Sequence, residues 1–168
     1  MIWDLLFFVL YPYPTYTGMD LFLTIVLALN TVWFAIAFWF FSIRPLRAAR
    51  LLVPWRDRYE ASFAVLIHAL RFLGGMNLAL ALYSLLLVLH PELWHPPLQV
   101  VIPLMIFGVA HGSQFYFNLQ LAIRQARGER YLWPVWKGPM LWIFLIDGTL
   151  SVLNFTCGIL LFPPAIPH

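Results

Sequence analysis

The sequence predicts an all-α protein: a four-helix transmembrane bundle preceded by a short interfacial segment, with both termini on the non-cytoplasmic side. Three observations carry this. The 168 residues are 62% hydrophobic and only 10% charged, against roughly 25% charged in soluble domains. Four apolar stretches reach the roughly 20 residues needed to cross a bilayer. The basic residues are grouped: Arg44, Arg47, Arg50, Arg56 and Arg58 in one segment, and Arg124, Arg127, Arg130 and Lys137 in another. Such grouping beside apolar spans marks cytoplasmic loops. The net charge of +3 is therefore a topological signal and gives no reason to expect a nucleic-acid partner. Residues 1–168 read as a single integral membrane domain.

Residues 1–20 are too short to span, because Pro12 and Pro14 interrupt them. The part from Ile2 to Leu10 is expected at the outer interface, as an anchor or as a lid over an outward-facing cavity. It lacks a basic start and a small-residue cleavage site, so it reads as mature chain rather than as a signal peptide. The spans follow at about 21–43, 61–89, 98–123 and 140–162. The second is overlong, which predicts tilt or a protruding end, and Gly74-Gly75 within it admits a bend or a close neighbour. Between spans two and three, the segment His90-Pro-Glu-Leu-Trp-His95-Pro-Pro carries no Lys or Arg, as an outer loop should. Each basic loop ends in a similar triad of Pro, Trp and cation: Pro54-Trp55-Arg56, and Pro134 with Trp136-Lys137. This suits the headgroup layer and reads as convergence on interface chemistry rather than as a duplicated hairpin.

Two ionisable residues stand out within the spans, Arg71 and Asp147. An ionised group at mid-membrane costs about 2.5–3.5 kcal/mol on insertion scales. Counted from Glu60 and Lys137, both lie about 15–16 Å deep at 1.5 Å per residue, which predicts an Arg71–Asp147 ion pair. Polar stripes flank it: His68, Arg71 and Gly75 in the second span, His111, Gln114 and Asn118 in the third, Asp147, Ser151 and Asn154 in the fourth, with Asn30 in the first. Their i, i+3/i+4, i+7 spacing puts each stripe on one helix face. The expected ligand-binding set is therefore Arg71, His111, Gln114, Asp147, His68 and Asn118. The aromatic run Trp33, Phe38, Trp39, Phe40, Phe41 reads mainly as lipid-facing or interfacial.

His68 and His111 invite a bis-imidazole haem, but their depths, about 12 and about 19 Å, disfavour coaxial ligation. No Cys–His cluster or carboxylate pair has metal spacing, and His90, His95 and His168 offer at most a weak surface site. Catalytic residues stay unassigned: no nucleophile elbow, phosphate loop or dinucleotide fingerprint is present, and the single cysteine, Cys157, excludes an internal disulfide. The stretch Arg71-Phe-Leu-Gly74-Gly75-Met-Asn77-Leu-Ala-Leu-Ala resembles small DoxX-like four-helix membrane proteins. That resemblance covers barely one helix and implies nothing about activity. The leading expectation is a protein embedded in the lipid bilayer that binds a small lipophilic molecule with a polar head, a quinone or a lipid. Arg71, His111 and Gln114 would meet the head, and Asp147 would orient Arg71. Alternatives are a structural or accessory subunit of a larger membrane complex, whose polar seam serves helix association, and a proton or small-solute transporter acting as an oligomer.

Overall fold

The computed structural model describes residues 17–94, 97–129 and 133–162; the expected interfacial segment up to residue 16 lies outside them. The described residues form five α-helices, four of them long and apolar enough to cross a membrane, and no strands. These are α1 (Thr17–Phe38), α2 (Pro45–Leu52), α3 (Ala61–Leu89), α4 (Leu98–Ala126) and α5 (Gly138–Leu161). The chain is therefore an integral multi-pass membrane protein. The helix that carries the first span is described from Thr17, and its apolar stretch runs Met19–Ile43.

Local chemistry sets the ends. α1 carries Asp20 in its first turn, where a carboxylate complements the helix dipole, and finishes in one wide π-helical turn, Trp39–Ile43. Arg44 then leaves helical geometry, and Pro45, with its fixed φ, starts α2. α2 stops before Pro54, as the residue preceding a proline disfavours helix. Its last carbonyls are taken by Arg58, which donates to Arg50 O at 2.7 Å and Val53 O at 2.9 Å. α4 closes on Gly128, whose φ of +73° suits glycine. The Glu129 N–H reaches Arg124 O and the Gly128 N–H reaches Gln125 O, the paired bonds of a Schellman cap.

The helices pack as two hairpins, α1 on α3 and α4 on α5, with narrower contact between the pairs. Small residues allow the close approach within each. A Cβ on Gly74 would stand 2.7 Å from the Ser42 backbone nitrogen, and one on Gly148 would stand 2.8 Å from the Phe115 ring. Away from the basic loops the hairpins share one core, including Leu23, Leu27, Leu87, Leu104, Phe107 and Cys157. Toward the basic loops that core divides. Leu121, Ala122, Val135 and Phe144 form one cluster, and Ala48, Ala49 and Leu70 form another. The hairpins part at this end.

Two bonds fix the antiparallel register of α1 and α3: Ser84 Oγ donates to Leu27 O at 2.8 Å, and Ser42 Oγ to Arg71 O at 3.0 Å. Arg71 is thus level with the end of α1, and Ala61–Leu70 project past it, covered on one side by α2. From Arg71 to Leu89 is roughly 19 residues, or about 28 Å, close to the roughly 30 Å hydrocarbon thickness of a bilayer. α3 thus extends beyond the end of α1 by the stretch Ala61–Leu70.

Candidate functional site

The polar residues of α1, α4 and α5 meet where the two hairpins touch. Asn30 on α1 and Asn154 on α5 exchange amide hydrogen bonds, Asn30 Nδ2 to Asn154 Oδ1 at 2.9 Å and Asn154 Nδ2 to Asn30 Oδ1 at 3.0 Å. Each amide nitrogen also donates to a carbonyl of its own helix, Val26 O and Leu150 O, both at 2.8 Å. Reversing either amide would set two oxygens against each other, so these carbonyls fix its orientation. Asn30 Oδ1 consequently faces His111 Nε2 at 3.0 Å. An amide oxygen only accepts, so His111 carries a proton on Nε2.

The other imidazole nitrogen, Nδ1, lies 3.0 Å from Asp147 Oδ1, and both side chains are 0% exposed. One proton is needed in that contact. Whether it rests on nitrogen or oxygen, His111 and Asp147 together are neutral, the condition under which such a pair tolerates a low-dielectric site. The indole N–H of Trp33 donates to the same Oδ1 at 2.9 Å. Phe34 stacks on the imidazole at 4.6 Å, 15° from parallel, and closes it off. Asp147 Oδ2 is buried with no hydrogen-bond partner among the described residues. Leaving such an oxygen unmatched costs about 1–3 kcal/mol.

Beside this network, where the hairpins part, lies a cavity of about 510 Å³, within the range of small-ligand sites. Its wall combines α1, α4 and the start of α5: Trp33, Phe40, Phe41, Gln114, Pro139 and Trp142 contribute. The wall is aromatic and aliphatic except for the Gln114 amide. Trp33 belongs to both places, its ring in the cavity wall and its N–H on Asp147.

The sequence-predicted residues fall into three groups. His111 and Asp147 come together at the centre, and Gln114 is half-buried in the cavity wall. Asn118 is buried but engaged elsewhere: it donates to Gln114 O and accepts from Trp133 Nε1 at 2.9 Å, tying the segment before α5 to α4. Arg71 and His68 are exposed on the outer face of α3. The expected Arg71–Asp147 pair does not form. Depth counted from helix starts assumed that both helices begin at one level, whereas α3 begins well outside the end of α1. Asp147 is level with Trp33 and Arg71 with Ser42, about 13 Å apart along the bundle. For the same reason His68 and His111 are not facing ligands. His68 lies a turn beyond Arg71, and both ring nitrogens of His111 are engaged within the network.

Trp33 stands in the aromatic run read mainly as lipid-facing or interfacial, and nothing in the sequence singled out Phe34. The available signal was the spacing of Trp33 from Asn30, which puts it on the same polar stripe. Among the described residues no group of three His, Cys, Asp or Glu side chains gathers as a metal site; His95 and His168 lie outside them. His90 Nδ1 and Glu92 Oε1 are 2.7 Å apart at the other end of the bundle. There a hydrogen bond from its own backbone N–H, and then the His90 contact, hold the Glu92 carboxyl below its usual range. Both side chains are solvent-exposed, a setting in which such pairs contribute little. Comparison of the chain with protein-family models, curated proteins and solved structures finds no match.

Proposed function

We propose that this membrane protein binds a small lipophilic molecule with a hydrogen-bonding head, of the quinone or lipid kind, in the cavity between α1, α4 and α5. The observation that carries the reading is the composition of that cavity: about 510 Å³ of aromatic and aliphatic wall with one amide, Gln114, set into it. Gln114 offers an N–H to a carbonyl head and a C=O to a hydroxyl head. Trp33 makes the site more than a greasy cleft, since any occupant rests on the ring whose N–H holds Asp147. The unmatched Asp147 Oδ2 is a cost that a purely structural helix joint has no reason to keep. The head-group role expected of Arg71 passes to Gln114. By the positive-inside rule the basic loops face the cytoplasm, both termini lie outside, and the cavity sits in the cytoplasmic half of the bilayer.

Two measurements test this together. Organic extraction of the purified protein should yield a lipophile at about one per chain by mass spectrometry. Titration with a short-chain quinone should quench tryptophan fluorescence saturably. Gln114→Leu should weaken apparent affinity about tenfold, the equivalent of roughly 1.4 kcal/mol for a buried hydrogen bond, while His68→Ala on the outer face should leave it unchanged. Repeated preparations without a stoichiometric lipophile, together with quenching that never saturates, would overturn the reading.

A further inference from the structure

We infer that the corner where α2 crosses α3 is a binding site for the headgroup of an anionic phospholipid, with Arg71 as the residue that takes the phosphate. Arg71 is exposed, and among the described residues it has no ion-pair partner. Other arginines are accounted for within the chain: Arg124 pairs with Glu129 at 3.2 Å, and Arg58 closes the end of α2. The guanidinium of Arg44 lies over the Trp39 ring at 5.4 Å, the arrangement of a cation and an aromatic sharing the headgroup layer. Ser42, two residues before Arg44, holds the Arg71 carbonyl, so Arg71 reaches the same layer from a different helix.

α2 completes the corner. It buries Pro45, Ala48 and Ala49 and packs on Leu70, the residue before Arg71. Arg47 and Arg50 are left exposed on its other side. A short helix with an apolar seat and a basic face lies in the plane of the interface. Basic residues clustered just outside a span bind anionic lipid through their summed charge. Guanidinium is suited to a phosphate because it donates two parallel N–H bonds.

The occupant follows from depth. At mid-membrane an exposed arginine would need a carboxylate from another protein. At the level of Ser42 the leaflet itself supplies the anion. A second copy of the chain is the poorer fit: at this end of the bundle Glu129 already pairs with Arg124, Asp57 and Glu60 precede α3, whose start lies about 15 Å beyond Arg71, and Asp147 is enclosed at 0% exposure. This inference concerns the outer face of α3 and stands independently of any ligand in the cavity.

The test uses the full chain in detergent and in nanodiscs containing phosphatidylglycerol and phosphatidylcholine in equal amounts. Native mass spectrometry should show phosphatidylglycerol retained preferentially. Arg71→Gln should reduce that retention about fivefold, as removal of one interfacial cation implies; Arg71→Lys should keep most of it, and Arg127→Gln in the other basic loop should leave it unchanged. Inorganic phosphate should not displace the lipid. Circular dichroism of each variant keeps loss of fold apart from loss of binding. Equal effects of Arg71→Gln and Arg127→Gln would overturn the inference in favour of bulk charge. So would a dimer in mild detergent that Arg71→Gln dissociates without lipid, which would make this face a protein interface.

Discussion

Asn30 and Asn154 decide the chemistry of the buried histidine without being ionisable themselves. Each amide is oriented by a carbonyl of its own helix, and their mutual bonds then present one oxygen to His111 Nε2. The imidazole cannot choose its tautomer, and the remaining proton is confined to the contact with Asp147. Asn30→Leu removes this arrangement from one side. It leaves the His111 N–H and the Asn154 amide facing apolar surface, each at a cost of about 1–3 kcal/mol. The expected outcome is a clear fall in thermal midpoint in detergent. Because the two amides share partners, Asn30→Leu with Asn154→Leu should cost less than the sum of the single changes. An additive result would mean that the amide pair does not exist in the membrane. The polar stripes carrying Asn30, His111, Asp147 and Asn154 were visible in the sequence, because a polar residue at helical spacing in an apolar run has few explanations. Trp33 was not, because an indole among other aromatics looks the same whether its N–H meets lipid headgroups or a buried carboxylate.

For the elements, what mattered was height. Hydropathy gives the number and length of apolar runs, and all four spans were legible in that way. It does not say how far one helix is slid along another. The slide of α3 against α1 is set by close contacts, chiefly Gly74 against Ser42, and no count from helix ends reveals it. That slide sets Arg71 about 13 Å from the level of Asp147 along the bundle, at the end of α1 rather than beside the buried network. Adjacent glycines test the contact. Gly74→Ala places a Cβ 2.7 Å from backbone that cannot rotate away, so it should destabilise by about 1–3 kcal/mol as an overpacked site does. Gly75→Ala meets nothing within 4 Å and should be neutral or stabilising by up to about 1 kcal/mol, the helix-propensity difference. Thermal unfolding of the two variants side by side distinguishes them. Equal effects would show that α1 and α3 do not approach at Gly74.

Across the whole molecule, two tight hairpins share an apolar core at one end, meet at a narrow polar seam, and part at the basic end, where the cavity opens. That architecture needs α1 and α5 to be neighbours although they are far apart in sequence. It also needs an even number of crossings, so that the two basic loops share a side. Positive charge at both loops favours the cytoplasmic side, since moving either loop across the membrane would carry several cations with it. Single cysteines in a Cys157→Ala background test this directly, because Cys157 is fully enclosed and its replacement leaves every accessible position intact. Arg56→Cys and Lys137→Cys lie in the two basic loops, and Glu92→Cys in the loop at the opposite end. In sealed vesicles of known orientation, a membrane-impermeant maleimide should label Glu92→Cys from the external face. The two basic-loop positions should be labelled only after permeabilisation. If Arg56→Cys and Lys137→Cys were labelled from opposite sides, α3 and α4 would not both cross the membrane, and the antiparallel packing that builds the cavity would fail. If both were labelled from outside, the bundle would stand but be inverted, and the cavity would draw its occupant from the outer leaflet.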